Sequence, residues 1–349
     1  MAAPPPTPAR LARVVAYFRR HPILLLLAFT PGIPEYLSGS TALWPIVLSP
    51  FGFLLFLGLN LGLYGPGVLL VREAHVRWKK GWSTILLLGG AYGLLEEGTA
   101  LSTLFNPKAS VVSSLGSYGH AYGVNWVWLL GILGVHIVYS VGLPILLLGL
   151  ALPETRGQRL LTSRQLPLAA GIYLADIAFL AYITHYYAVA GPLLVLAAVV
   201  AGLLWLVAWR IPAGLLDPPR PRPERGPRYF LILGLVYFAL LIVVPGLIED
   251  LQFPAPVAFS ADLATIVVLF LAIWRNVGRS ANEPELVMVA VGAILPLAAV
   301  GLIAQWFLPV VLVLDVLAAL FFRALWRHYR PTPATAAPPL AAPPRPIGP

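Results

Sequence analysis

The sequence predicts an all-α protein, a polytopic transmembrane helical bundle of about ten spans with cytoplasmic N- and C-termini. Three observations carry this. Of 349 residues, 59% are hydrophobic and 11% charged, and mean hydropathy is +0.84; a soluble domain carries roughly 25% charged residues. Apolar runs recur, each about 20 residues long, the length a helix needs to cross a hydrocarbon core at about 1.5 Å per residue. The basic residues gather in alternate connections between those runs.

Taken in order, residues 1–21 form a Pro-rich cytoplasmic segment with no cleavage site after an early apolar core, so no signal peptide is expected. Segment 22–42 opens PILLLLAFT and is interrupted by the prolines and glycines of PGIPEYLSGST. Segment 46–71 contains NLGLYGPG, a kink or close-contact signal. Segments 82–105, 124–149, 167–188 and 192–210 follow, the second of these long enough to tilt. Together 22–210 make a six-span half. The loop 211–228, IPAGLLDPPRPRPERGPR, is extended by its prolines, and its arginines can approach anionic headgroups. Segments 229–248, 256–274, 286–304 and 308–323 form a four-span apolar half over 229–323. Residues 324–349 are a Pro/Ala-rich tail expected to be disordered in the cytoplasm. With this count all of the 23 Lys and Arg residues except Lys108 fall on the inner side. One span more or fewer would destroy that alternation.

Composition also excludes chemistry. There is no cysteine, which removes disulfides, thiolate metal sites and a cysteine nucleophile. The net charge of +9 reports topology rather than nucleic-acid binding, because no basic patch stands outside the loops. The expected partners are the lipid bilayer of a plasma membrane and a membrane peptide or small-molecule substrate, with no nucleic acid. P-loop, G-x-S-x-G, H-E-x-x-H and dinucleotide signatures are all missing from the sequence.

Ionisable residues inside a membrane are costly, and each is by default a functional hypothesis. Here they are Glu35, Glu96, Glu97, His136, Asp176, His185, Asp262 and Asp315. All but Asp262 and Asp315 lie in the first five spans, which places a site there, biased toward the outer face. Glu96 and Glu97 sit in GAYGLLEEGTALSTLFNP, about 20 Å along a helix that starts near Trp82. Adjacent residues of an α-helix point about 100° apart, so only one of the pair is expected to enter the site while the other supports it. Gly93, Glu97 and Ala100 share a stripe, with Gly89 and Gly90 below, which predicts close approach of another helix. Bland roles compete. Glu35 can fix the broken backbone after Pro34, and His136 can be a hydrogen-bonded interior residue. His185 can sit in an interfacial belt with Tyr186 and Tyr187, Asp176 can make a packing hydrogen bond, and Asp262 and Asp315 can be structural. The outer loop NPKASVVSSLGSYGHAYGVNW, with His120, has the composition of a lid.

A glycine shortly before a Glu-Glu pair, followed by one intramembrane histidine on each of two later helices, resembles the CAAX-protease and bacteriocin-processing (CPBP) family of intramembrane peptidases. Glu96, Glu97, His136 and His185 carry the resemblance, over about residues 82–189. Leu101, Ile132 and Val189 stand where that family's pattern has Arg, Phe and Asn or Asp. The resemblance implies peptide-bond hydrolysis in the membrane. One glutamate would act as general base for water, with His136 and His185 as metal ligands or oxyanion stabilisers. A zinc site of Glu97, His136 and His185 with an open position for water is one form of it. A proton- or cation-coupled transporter or membrane binding protein is the rival reading, since buried carboxylates beside Pro/Gly breaks also fit a carrier. No internal repeat supports that design. A non-catalytic scaffold with a polar network is the third.

Overall fold

The computed structural model describes residues 9–41, 49–109, 117–184, 191–213, 225–276, 282–306 and 308–330. They form α1 (Ala9–Arg20), α2 (Pro22–Leu37), α3 (Pro50–Trp78), α4 (Trp82–Gly93, continued by a wide turn over Leu94–Ala100) and α5 (Trp126–Ala151). Then come α6 (Gln165–Thr184), α7 (Gly191–Arg210), α8 (Pro227–Asp250), α9 (Ala255–Asn276), α10 (Glu283–Ala304) and α11 (Pro309–Tyr329). A short hairpin, β1 (His120–Ala121) and β2 (Val124–Asn125), precedes α5. Seven helices among the described residues, α5 to α11, are long and apolar enough to cross a membrane. The chain is an all-α, multi-pass membrane protein. Its outward faces agree: Leu168, Leu174, Val195, Leu203, Val268 and Leu317 are each more than half exposed, as expected of side chains solvated by lipid rather than water.

Where they are described, the apolar segments expected from the sequence are occupied by helix, but several ends move. The first does not break at Pro31. It stays helical to Leu37 by widening into a π turn over Gly32–Leu37. Pro34 has no N–H to give to an i→i−4 bond, and a π turn tolerates that loss. The chain then reverses at Gly39, where φ is +78°. The second segment runs on past residue 71 to Trp78, because Arg72 and Glu73 pair and can be buried together. The third stops at Ala100, not 105. Ser102 takes a left-handed φ of +60°, and the chain folds back through hydrogen bonds from Leu101 N to Glu96 O (2.8 Å) and Leu104 N to Glu97 O (3.3 Å).

α5 sits at the centre. Val141, Ile145 and Leu148 pack with α3, α4 and α6, while Leu143, Leu146 and Leu150 pack with α2, α8, α10 and α11. A third cluster joins α4 to α7 through Ala91, Leu94, Ala197 and Ala201. The four-helix half is held by a glycine crossing of α8 on α10. A Cβ on Gly234 would lie 2.3 Å from the Val289 carbonyl oxygen, and one on Gly292 would lie 2.3 Å from that of Leu231. Lipid gives no hydrophobic drive for helix pairing, so close backbone packing must supply it. Gly234→Ala is therefore expected to cost about 1–3 kcal/mol. Gly202→Ala, on an open helix face, is expected to leave the melting temperature in detergent unchanged or slightly raised.

Candidate functional site

The polar residues of the first five helices converge, and the local backbone explains how. Three helices widen into π turns where they carry ionisable groups. Glu35 lies in Gly32–Leu37, Glu96 and Glu97 in Leu94–Ala100, and His136 opens His136–Gly142. A π turn makes i→i+5 bonds, inserts one residue, and is frequent at functional sites. Pro144 removes a backbone donor just past the third of these turns. The π turn of α8, Ala239–Val243, holds no ionisable residue.

The glycine stripe of α4 brings the histidine in. A Cβ on Gly89 would lie 3.0 Å from the Cα of Ile137, and one on Gly93 would lie 3.0 Å from the Cβ of His136. The imidazole thereby reaches both glutamates. Its Nε2 lies 3.1 Å from Glu97 Oε1, and its Nδ1 lies 3.3 Å from Glu96 Oε2 and 3.0 Å from Ser140 Oγ. This corrects the expectation that only one glutamate could enter the site. The widened turn alters the angular spacing of adjacent residues, and the two nitrogens lie on different edges of the ring, so side chains that diverge can each find one.

All three groups are buried: Glu96 is 2% exposed, Glu97 5% and His136 2%. Their remaining valences are partly met by the protein. Thr103 Oγ1 donates to Glu97 Oε2 and accepts from the Trp128 indole Nε1 at 3.1 Å. The Tyr92 ring stands edge-on to the imidazole at 5.7 Å and stacks on Tyr173 at 6.0 Å. Among the described residues, Glu96 Oε2 has no hydrogen-bond donor beyond its contact with His136. Glu35 joins from α2, accepting from the Tyr64 hydroxyl and from Thr41 Oγ1 at 2.5 Å. Tyr64 in turn lies 6.0 Å from Tyr92, ring to ring. The cluster is therefore two hydrogen-bonded groups, Glu35 with Tyr64 and Thr41, and Glu96, His136 and Glu97 with Ser140, Thr103 and Trp128, joined by ring packing through Tyr92, whose hydroxyl has no hydrogen-bond partner among the described residues.

One ligand atom from each of Glu96, Glu97 and His136 falls within 4.8 Å of the others, close enough to hold a metal ion. Without a metal the same three groups can share protons, since an imidazole donates from one nitrogen when neutral and from both when charged.

The sequence-predicted residues separate accordingly. Glu96, Glu97, His136 and Glu35 come together. Asp176 does not join them: it faces α3, where a Cβ on Gly62 would lie 3.1 Å from its carboxylate carbon, and its Oδ2 finds no protein partner among the described residues. Asp262 and Asp315 sit on α9 and α11, outside the cluster. His185, with Tyr186 and Tyr187, lies outside the described residues. The described part of the loop between α4 and α5 packs at the Glu97 end. Asn125 N donates to Leu104 O at 2.8 Å, and Tyr118 Oη donates to Phe253 O at 2.7 Å, between α8 and α9.

Sequence reasoning missed Tyr64, Tyr92, Thr103, Trp128 and Ser140. Ser140 was open to discovery as the residue four after His136, one helical turn away. Tyr92 was open in the same way, four residues before Glu96; Thr103 is returned to Glu97 by the turn that ends α4, and Tyr64 and Trp128 are brought in by packing of α3 and α5. No protein-family model, curated protein or solved structure matches this chain.

Proposed function

We propose that this protein is a membrane-embedded hydrolase, an intramembrane peptidase of the kind its resemblance to the CPBP family implies, with Glu96, Glu97 and His136 at its centre. The observation that carries the proposal is the placing of two buried carboxylates on the two nitrogens of one buried imidazole, at 3.1 and 3.3 Å. Hydrolysis needs a base for water and a donor for the leaving group, and carboxylate and imidazole in contact can exchange those roles.

The donor set also fits a zinc ion. Glu96, Glu97 and one nitrogen of His136 would hold it, leaving the second nitrogen to Ser140 or a carboxylate, as metal-bound histidines are normally held. Bound there, zinc would supply an activated water at neutral pH and polarise a carbonyl. The chain's own contribution is orientation. Thr103, fixed by Trp128, holds Glu97; Ser140 holds the ring of His136; the stacked Tyr92 and Tyr173 wall the cluster on one side. Substrate would be a peptide segment or small amphiphile entering from the lipid.

The extension to Glu35 favours a second reading, a proton- or cation-coupled carrier, because a row of protonatable groups from Glu35 through Tyr64 toward Glu96 is what a proton path needs. Reconstituted vesicles separate the two. The hydrolase cleaves a quenched fluorogenic transmembrane peptide, and His136→Ala lowers the rate by about 100-fold or more. A carrier leaves every such peptide intact and moves protons across the vesicle wall in a Glu96-dependent way.

The same reading places ten crossings in a plasma membrane, with both ends in the cytoplasm. Its support is the gathering of basic residues in alternate connections, with Lys108 as the exception. The absence of cysteine makes the test clean. Lys108→Cys should react with an impermeant maleimide from outside intact cells, and Arg159→Cys only after lysis. Labelling of both from the same side would refute the topology.

A further inference from the structure

Four buried oxygens between α3, α4 and α6 have no hydrogen-bond partner among the described residues, the His136 contact of Glu96 apart. They are Glu96 Oε2, the Tyr92 hydroxyl, the Tyr173 hydroxyl and Asp176 Oδ2. They are not scattered. Glu96 lies four residues after Tyr92 on α4, and Asp176 three after Tyr173 on α6, spacings that put each pair on one helix face. The two tyrosines join the pairs, with ring planes 13° apart and ring centres 6.0 Å apart. α3 closes the third side with two glycines. A Cβ on Gly67 would lie 2.6 Å from Tyr92 Cε2 and 2.8 Å from Tyr173 Cε2, and one on Gly62 would lie 3.1 Å from the Asp176 carboxylate. Cε2 adjoins the carbon that bears the hydroxyl, so the hydroxyl ends of both rings reach the same stretch of α3. Tyr173 is also within electrostatic reach of both Glu96 and Asp176. The four oxygens therefore form one line, from the α3–α6 contact to the edge of the buried cluster.

A hydroxyl or carboxylate taken out of water without a new bond is strongly destabilising, and native interiors hold few of them. Here four stand in a row, and the protein cannot satisfy them directly. Near-parallel rings with centres 6.0 Å apart hold their hydroxyls beyond the reach of one O–H···O bond. They hold them within about two such bonds, roughly 5.5 Å, which is the span of one bridging water. The donor and acceptor pattern suits water: two hydroxyls that both give and accept, with carboxylate oxygens at the two ends. The close approach of both rings to Gly67 leaves no space for a larger guest. We propose that this line is a binding site for a short file of internal waters, held by the Tyr92 and Tyr173 hydroxyls, that joins Asp176 to Glu96. The site stands whatever chemistry occurs at His136, and a hydrolase there would find its reacting water at the Glu96 end.

The test is hydroxyl-radical labelling by X-ray radiolysis of the full-length protein in detergent. Radicals formed from a held water oxidise the side chain beside it even where bulk solvent does not reach. The fold supplies matched controls. Tyr139 and Tyr237 are 0% and 6% exposed, against 2% and 6% for Tyr92 and Tyr173, but their hydroxyls donate to the Ala293 and Gly134 carbonyls at 3.2 and 2.7 Å. Tyr92 and Tyr173 are expected to gain oxygen several-fold faster than Tyr139 and Tyr237. Rates no faster than these controls overturn the proposal without recourse to any variant. So does comparable labelling of Leu180, also buried on α6, after correction for intrinsic reactivity, since that reports an opening helix and not held water. Asp176→Leu removes one end of the file and should bring Tyr173 down to the rate of Tyr237 with Tyr139 unchanged; a Tyr173 rate that stays high refutes the link to Asp176. A second readout is independent of labelling. Tyr173→Phe should lower the melting temperature, as Tyr237→Phe does, because each loses a bonded hydroxyl. A bare hydroxyl would make the change at Tyr173 neutral or stabilising, and that result would overturn the site.

Discussion

Glu73→Gln is expected to destabilise the protein by about 3–5 kcal/mol, measured as a lower midpoint of chemical unfolding in mixed micelles. The carboxylate is fully buried at 0% exposure. Its Oε1 accepts from Arg72 Nη1 at 3.1 Å and from the Leu160 backbone N–H at 2.7 Å, and its Oε2 accepts from Arg77 Nε at 3.0 Å. The two arginines carry on to the Gln158 carbonyl at 2.9 Å and the Leu161 carbonyl at 2.6 Å, so the group clamps the connection between α5 and α6 onto the end of α3. An amide keeps the shape and loses the charge. It also turns an NH2 group toward one set of donors. Arg72, with a side chain only 4% exposed, is left as a buried unpaired cation, the costliest outcome of breaking such a group. Two further variants separate charge from packing. Arg77→Met should cost much less, because that side chain is 18% exposed and its carboxylate partner keeps Arg72. Glu73→Gln combined with Arg72→Met should recover a good part of the loss, since it removes the stranded charge. Glu73→Gln as stable as the wild type would show that the clamp contributes nothing.

Glu73 also marks where sequence reading stops. Arg72 and Arg77 are legible as inner-loop charges that set orientation, and a glutamate between them on an exposed helix end would be unremarkable. Only the return of the 152–161 connection onto α3 makes it a buried hub, and that is a contact between segments about 80 residues apart. The apolar segments themselves were readable, because a lipid-spanning helix must satisfy its backbone alone and shows its length in composition. The Glu96–Glu97 pair and the glycine stripe beside it were readable for the same reason: a carboxylate in lipid needs a partner, and small residues announce where the partner helix comes close. The convergence of both glutamates on one ring was not. It depends on π turns, whose extra residue leaves no periodic trace over so short a stretch. Tyr64 and Thr103 were hidden differently. Tyrosine and threonine are ordinary in a membrane helix or its end, and nothing local distinguishes those that bond a carboxylate.

The cluster's own chemistry gives the other large effect. Wild-type protein purified without chelator should carry one zinc per chain by mass spectrometry, and Glu97→Gln and His136→Ala should each carry almost none. Glu97 supplies one oxygen to the trio and His136 one nitrogen, and the ligand atoms lie within 4.8 Å of one another. Removing either leaves two protein ligands, too few for a catalytic site, which uses three. Thr103→Val isolates orientation from ligation. It leaves every ligand in place and removes the hydroxyl that holds Glu97 Oε2 and receives the Trp128 N–H. Loss of such an outer partner typically weakens metal affinity or activity by about 10–100-fold, so Thr103→Val should bind zinc measurably but lose it to mild chelation before the wild type does. The fold gives an internal control: the change at Thr103 keeps the side-chain shape and leaves the glycine contacts of α4 with α5 untouched, so it should lower the melting temperature less than Gly93→Leu, which drives a side chain into His136. Zinc content that is equal in all four proteins would sink the metal site. If the wild type carries none, the three groups remain as a proton-sharing cluster, and either a metal-free glutamate–histidine hydrolase or the carrier reading built on Glu35 and Tyr64 must then account for them.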